Sequence, residues 1–336
     1  MTDLPAPTHL PDIPDIPDLP DLLAARRVLN GVVVRTPVLR SEVLDELAGA
    51  QLFFKAEGLQ LTGSFKVRGA YNRIRSLSPD EVARGLITVS AGNAALGAAW
   101  AARATGARLV VVMPETAVPE KLAAVAALGA RIEKDGVTNA TQAFERLARL
   151  RGEHGYTLVH PFDDPYVIAG AGTATWELLE DFPDLDDLAI PASGGGLLGG
   201  ALLAARGLAP RARVYGIQPE GADGIVRSLA AGTPTPPERV HTLADGLTAP
   251  KPGIRNFELI RRHAAGVFTV PDSAILAALG LIARHLKVVV EAAGAAALAG
   301  VLSGAGSAGR FHGRRVGILL SGSNTGMERV REALAG

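Results

Sequence analysis

The stretch LTGSFKVRGA, residues Leu61 to Ala70, sets one lysine, Lys66, between Phe65 and Val67, with Gly63 and Ser64 before it and Arg68 and Gly69 after it. A lysine in such company has two readings. It can lay its methylenes along apolar surface and carry its ammonium out to water. It can instead be an amine whose proton affinity is lowered by burial and a neighbouring cation, so that it acts as nucleophile and base. Lysine is also the residue that forms Schiff bases with carbonyls. The stretch alone leaves both readings open, and the rest of the chain must choose.

The chain has 336 residues, enough for a sizeable core and two lobes. Lys plus Arg and Asp plus Glu balance at 34 each, so bulk charge recommends neither nucleic acid nor an anionic membrane as a partner. There is no cysteine, which excludes disulfides, thiolate catalysis and thiolate-bound metal, and fits a reducing cytoplasm. No apolar run reaches the ~18 residues a bilayer span needs. The first positive charge is Arg26, so the N-terminus reads as neither signal nor transit peptide.

Ahead of Arg26, LPDIPDIPDLPDLL repeats an apolar-Pro-Asp triplet. Period three with proline suggests extended polyproline II, aligning Leu10, Ile13, Ile16 and Leu19 along one edge. Residues 1–20 are therefore expected to be an extended arm, either a free tail or packed on a partner subunit.

Beyond the arm, short apolar stretches alternate with helical ones. QLFFKAE, LITVS, RLVVVMP, LDDLAIPAS, RVYGIQPE and RRVGILLS read as strands. VRGAYNRIRSL, NAALGAAWAARATG, VPEKLAAVAALGA, LLGGALLAARG and NTGMERVREALA read as helices. This alternation predicts an α/β fold of mostly parallel, twisted sheets flanked by helices, with ligands at the carboxyl ends of the strands. Three turns at such ends are rich in small residues: SAGN at Ser90–Asn93, SGGGLLGG at Ser193–Gly200 and SGSN at Ser321–Asn324. Each would let backbone N–H groups approach an anion at a helix N-terminus. An aldehyde cofactor bearing a phosphate needs a lysine and a glycine-rich anion cradle, and the chain offers both.

The second turn has a rival reading. Gly194, Gly196 and Gly199 fit G-x-G-x-x-G after a strand, and Glu220 ends the next strand where a ribose-binding acid would lie, as in a nicotinamide-dependent dehydrogenase. That reading leaves Lys66 and the other two turns without a task.

TGSFKVRGA, SAGN, SGGGLLGG and SGSN, in this order, resemble the pyridoxal-phosphate enzymes of the tryptophan-synthase-β fold, within them most of all the serine/threonine dehydratases and serine racemases. HPFDDPYVIAGAGTATWELL, ADGL and VVVEAAGAAALAG are also similar, and the resemblance spans about Leu22 to Leu334. It implies two lobes: a large cofactor-binding domain of residues 21–78 and 160–334, and a small mobile domain of residues 79–159. It implies that Lys66 carries pyridoxal 5′-phosphate as a Schiff base and, once displaced by substrate, removes the α-proton. Phe65 would pack on the ring and Asn93 would bond its phenolic oxygen. Ser193, Gly194, Gly195, Gly196 and Leu197 would cradle the phosphate, and Ser321 would face the pyridine nitrogen. The turn of Ser90, Ala91, Gly92, Asn93 and Ala94 would hold the substrate carboxylate. Glu291 would lie near the ring, although an acid opening an Ala/Gly helix is also what a helix dipole favours. A homodimer or homotetramer is expected.

A neutral Ser321 cannot hold the ring nitrogen protonated as an aspartate would, which weakens the ring as an electron sink and favours prompt loss of a β-leaving group. Ala91 stands where the racemases carry a second acid/base serine, and Ala94 replaces a usual histidine. The expectation is therefore β-elimination of water from L-threonine, L-serine or a related 3-hydroxy amino acid, giving a 2-keto acid and ammonia. Racemisation, β-replacement, dehydration of hydroxyaspartate or phenylserine, and cofactor binding without turnover remain as alternatives. The chain ends soon after SGSN, so no C-terminal regulatory domain and no feedback control through one is expected. The histidines form no tight metal-ligand pair, and His154 and His160 read as structural or solvated. Asp163 and Asp164 read as helix caps. Where relatives bind a divalent cation through two acids, this chain has Gln218 and Gly224; hard cations want carboxylates, so that metal site is expected to be absent, with a shifted site on the neighbouring Glu220 and Asp223 as the alternative. EDTA should accordingly leave activity and thermal stability unchanged, and a loss restored by magnesium would refute this.

Overall fold

LVVV, LAIP and GILL are apolar at consecutive positions and LITV is broken only by Thr88, the pattern of strands covered on both faces. In the computed structural model, which describes residues 15–304 and 309–335, these runs are interior strands of two sheets. The ten strands among the described residues are β1 (Val38–Leu39), β2 (Gln51–Ala56), β3 (Leu86–Val89), β4 (Leu109–Val112), β5 (Arg131–Glu133), β6 (Thr157–Leu158), β7 (Asp187–Pro191), β8 (Arg213–Pro219), β9 (Gly266–Val270) and β10 (Arg315–Leu320). One sheet runs β1-β2-β10-β7-β8-β9 and the other β5-β4-β3-β6. All pairings are parallel except β1 with β2. The α/β class expected from the alternation is the one found. The four-stranded sheet occupies a continuous stretch of chain between β2 and β7, so the six-stranded sheet is assembled from segments on either side of it.

Helices cover both sheets. AAGAAALAGVL, the Ala292–Leu302 helix, is apolar around its whole circumference and lies buried in the core of the six-stranded lobe. Its small side chains let it sit directly on the sheet: a Cβ on Gly300 would fall 2.5 Å from the Ile217 side chain. On the opposite face, the Pro165–Asp181 helix crosses the Gly196–Leu208 helix so closely that a Cβ on Gly200 would fall 2.4 Å from the backbone nitrogen of Gly172.

The N-terminal expectation needs correction. Helix begins at Leu19, where Asp18 and Asp21 form a reciprocal capping box and Pro20 sits in the first turn, so residues 19 and 20 are helical rather than extended. Ile16 and Leu19 pack on this chain's own core beside Leu22. Leu10 and Ile13 lie outside the described residues. A second correction concerns SGSN. No helix starts there; the next begins only at Met327. The loop instead runs back along the segment before Lys66, with an isolated bridge between Ser64 and Gly322 and the Ser323 N–H donating to the Gly63 carbonyl at 2.8 Å.

The helix that starts at Lys66 and ends at Arg75 is held from below by charge. Arg68 is fully buried, and its guanidinium meets Glu57 through two hydrogen bonds of 2.8 Å and Glu177 through two of 2.7 and 2.9 Å. Lys55, also fully buried, donates to Glu177 at 2.6 Å and to the Thr36 carbonyl at 2.7 Å. Burial opposes ionisation of Glu57, but the charge and hydrogen bonds of Arg68 outweigh it and hold the carboxyl below its usual range. From above, the Asn93–Thr105 helix presses on the same turn: a Cβ on Gly97 would lie 2.8 Å from the Lys66 carbonyl carbon. Because removing one partner strands the others' charges in the interior, Arg68→Ala should lower unfolding free energy by about 3–5 kcal/mol in a urea titration.

Candidate active site

The three small-residue turns leave the carboxyl ends of β3, β7 and β10, two strands from one sheet and one from the other. They converge on a cavity of about 460 Å³ between the lobes. Phe65, Lys66, the whole Ser90–Ala94 turn, the whole Ser193–Leu197 turn, Glu291 and Ser321 all line it. The structure thus brings together every residue that the resemblance assigns to the cofactor or the substrate.

Lys66 is the first residue of its helix, with Phe65 as the N-cap. Its ammonium donates to the Pro161 carbonyl at 2.9 Å and lies 5.1 Å from the centre of the Phe65 ring. Burial lowers its pKa to about 8, a fall that nearby Glu291 partly offsets. The amine is therefore partly neutral near physiological pH, the state in which a lysine can act as nucleophile or base.

The Ser193–Leu197 turn is built as an anion cradle. Gly195 has φ +94°, a left-handed conformation that disfavours a side chain. A Cβ on Gly194 would fall 2.5 Å from the Phe162 ring, and one on Gly195 would fall 2.7 Å from Asn256 Cβ. The glycines thus bring bare backbone between Phe162 and Asn256. The Gly194 carbonyl is taken up by Asn256 Nδ2 at 2.9 Å and by the Gly253 N–H at 3.0 Å. Among the described residues, the N–H groups of Gly194, Gly195, Gly196 and Leu197 donate to no protein acceptor. Four free donors at the positive end of the Gly196–Leu208 helix fit a phosphate. Ser193 Oγ is engaged elsewhere, accepting from the Ala249 N–H at 2.9 Å.

On the opposite wall the side chains form a relay. Asn93 Nδ2 donates to Glu291 Oε1 at 2.6 Å, and Asn93 Oδ1 accepts from Asn324 Nδ2 at 2.7 Å. Burial first, then the charge of Asp245, raises the Glu291 carboxyl to about pKa 7. Glu291 does sit at the N-cap of the Ala292–Leu302 helix, yet its side chain makes no capping bond and turns to Asn93 instead. Ser90 Oγ accepts from the Gly92 N–H at 3.1 Å, tightening the turn that opens the Asn93–Thr105 helix.

Sequence reading passed over several contributors. Phe162 and Asn256 shape the glycine turn, Pro161 receives the lysine, Asn324 orients Asn93, and Lys121 and Asp245 meet at the cavity wall. Phe162 and Pro161 lie in the HPFDDPY segment, Asn324 in SGSN and Asp245 in ADGL, so the motifs marked the segments but not which side chain each would meet; Asn256 and Lys121 lie outside those motifs. Asp164 caps the Pro165–Asp181 helix as expected, whereas Asp163 accepts from Ile254 and Arg255 N–H at 3.0 and 3.1 Å and so caps a different helix. His160 Nδ1 accepts from the Phe162 and Asp163 N–H groups, and burial drives its pKa down to about 4, so it is a neutral structural imidazole. Gln218 is buried, donates to the Ala222 carbonyl and accepts from the Ile225 and Val226 N–H groups.

A model of the family described as pyridoxal-phosphate dependent enzyme matches residues 29–322. The chain belongs to the pyridoxal-phosphate dependent enzymes. It is 39% identical over 306 residues to an L-threonine ammonia-lyase of Thermotoga maritima, covering 91% of this enzyme and 75% of that one. It is 37% identical over 316 residues to an L-threo-3-hydroxyaspartate ammonia-lyase of Saccharomyces cerevisiae, covering 94% and 95%. Among solved structures, a serine racemase of Dictyostelium discoideum superposes with a TM-score of 0.86 at 36% identity, covering 93% of this enzyme and 99% of that chain. The enzyme's cofactor is pyridoxal phosphate, and the dehydrogenase reading of Gly194, Gly196, Gly199 and Glu220 is set aside. No helix among the described residues is long and apolar enough to cross a membrane.

The elevated Glu291 pKa makes a signed prediction for the cofactor-free protein. The folded state binds a proton that the unfolded state releases between the ordinary carboxylate range and about 7, so stability falls as pH rises through that window. Glu291→Gln, which can still accept from Asn93, should melt higher than wild type at pH 8, with the gap closing by about pH 4.5.

Proposed function

We propose that the enzyme is an ammonia-lyase that eliminates water from L-threonine, L-serine or a related 3-hydroxy amino acid. When bound, pyridoxal phosphate supplies a carbonyl that joins the substrate amine and a conjugated ring that withdraws electrons from the α-carbon. The residues then divide the work. The free N–H groups of Gly194, Gly195, Gly196 and Leu197 would hold the phosphate, with Ser193 fixing the start of the turn through its bond from the Ala249 N–H. Phe65 would pack beside the ring, Asn93, backed by Glu291, would bond its phenolic oxygen, and the Ser321 hydroxyl would face the ring nitrogen. The turn of Ser90, Ala91, Gly92, Asn93 and Ala94 would hold the substrate carboxylate through the N–H groups of Ala91, Asn93 and Ala94, since those of Ser90 and Gly92 are taken by Val112 and by the Ser90 hydroxyl. Lys66 would hold the cofactor and, once its amine is free, would take the α-proton. The electron pair of the lost α-proton forms the Cα–Cβ double bond, the C–O bond at the β-carbon breaks, and the hydroxyl takes up one proton, matching the one Lys66 removed, to leave as water. The resulting enamine tautomerises and hydrolyses to a 2-keto acid and ammonia.

The observation that carries this reading is the pairing of Lys66 with Ala91. Lys66 is a buried amine with a lowered pKa, and Ala91 puts a methyl group in the turn where a second acid/base would have to stand. One side-chain base serves elimination, whereas racemisation needs a proton delivered on the other face. Relatives named for threonine and for 3-hydroxyaspartate stand at nearly equal identity, so similarity leaves the substrate side chain open. We infer further that residues 79–159 move as a small domain against the rest. We also infer a homo-oligomer working in the cytoplasm, a setting supported by the absence of cysteine.

The test is a keto-acid assay on both enantiomers of serine and threonine, with the absorption spectrum recorded alongside. Wild type should release keto acid from the L-enantiomers only. Lys66→Ala should lose at least about 10³-fold in kcat, together with the absorption band that borohydride removes. Efficient production of D-serine from L-serine would refute the assignment.

A further inference from the structure

We propose that the cavity selects 3-hydroxy amino acids whose β-substituent is uncharged and apolar, and that Asp245 is the residue that turns a second carboxylate away. This rests on the dehydratase reading above and narrows its substrate class.

Among the described residues lining the cavity, the cationic side chains are Lys66 and Lys121, and the acidic ones are Asp245 and Glu291. Lys66 is committed to the cofactor. Lys121 comes from the Pro119–Ala127 helix of the four-stranded lobe, and its ammonium donates to Asp245 Oδ2 at 2.6 Å. Asp245 opens a short turn, Asp245–Leu247, in the six-stranded lobe, so this ion pair spans the two lobes at the cavity wall. The Asp245 side chain is 64% exposed and that of Lys121 24%. An exposed pair of this kind is weak and opens readily, which suits an entrance. Closed or open, Asp245 stays near enough to Lys121 to compensate its charge, so the wall offers no unbalanced cation.

The α-carboxylate has its own anchor in the backbone of the Ser90–Ala94 turn. A second carboxylate would need another uncompensated cation, and none of the described lining residues supplies one. It would instead meet Asp245, whose charge is already balanced by Lys121, and so would give up its hydration without gaining an ion pair. The remaining wall points the other way. Val89, Ala117, Val118, Phe144 and Phe162 give it an apolar surface. Val118 stays 48% exposed, an apolar side chain at the rim that a methyl or aryl substituent could cover. Ala94 offers only a methyl group, so it imposes no hydrogen-bonding demand on the substrate side chain.

The test measures kcat/KM of the holoenzyme for L-threonine, L-threo-phenylserine and L-threo-3-hydroxyaspartate. L-threonine or L-threo-phenylserine should exceed the hydroxyaspartate by at least about tenfold. Asp245→Asn, which frees Lys121 by removing the charge that compensates it, should raise the hydroxyaspartate-to-threonine ratio by about tenfold or more, and adding Lys121→Met should cancel that gain. Asp245→Ser serves as a second variant should the asparagine fail to fold. Equal or better turnover of hydroxyaspartate by wild type overturns the selectivity, and an unchanged ratio in the folded Asp245 variants overturns the role of Asp245. Calorimetric binding of L-2-aminobutyrate and L-aspartate, which lack the leaving group, separates the two layers. If no 3-hydroxy amino acid yields keto acid while 2-aminobutyrate binds at least about tenfold tighter than aspartate, the cavity's selectivity stands and the dehydratase reading falls. Aspartate binding as tightly overturns the selectivity whatever the enzyme turns over.

Discussion

Arg68 joins four parts of the chain at one buried point. Its guanidinium reaches Glu57 just past β2, Glu177 on the Pro165–Asp181 helix, the Thr173 hydroxyl, and the Val34 carbonyl ahead of β1. Two residues earlier in the same helix turn stands Lys66. A planar cation with five donors, each placed against an acceptor, fixes the orientation of that turn more tightly than apolar packing could. Isolated charges in a core are costly, so the cluster persists only because Lys55 and Arg68 balance Glu57 and Glu177. The reactive amine is thus set on a platform whose position is dictated by the rest of the large sheet.

Above that platform the site is defined by close backbone approaches. The glycine turn passes between Phe162 and Asn256, Gly63 leaves no room beside Asn324, and Gly322 leaves none beside Glu291. Each contact brings a loop from one strand against a residue from a distant one. The outcome is a cavity with free N–H donors on one side, a hydrogen-bonded Asn324–Asn93–Glu291 relay on another, and the lysine between them. Such preorganisation matters because a site held in place beforehand need not spend binding energy on arranging itself.

How much of this was legible beforehand follows from the range of the interactions. The strands under LVVV, LAIP and GILL could be read because continuous apolar runs report burial on both faces. Helix caps could be read where the signal is local, as at Asp164. The start of the first helix was misplaced because the Pro-Asp triplet continues through it, and the capping box of Asp18 and Asp21 outweighs the extended pattern. The missing helix after SGSN has a similar cause. Pairing with the segment before Lys66 takes the loop away from Met327, and nothing in SGSN itself reports that partner.

Local sequence therefore determined the α/β class and marked out the candidate lysine and the three small-residue turns, because periodicity, small residues and a lysine in apolar company are properties of short segments. Tertiary structure decided what surrounds them. Pro161 as partner of the amine, Asp163 capping a helix far along the chain, and Lys121 meeting Asp245 across the lobes all join residues roughly ninety or more positions apart. So did the electrostatics: the lysine lowered to about 8 and the glutamate raised to about 7 owe their shifts to burial, which no short segment carries by itself.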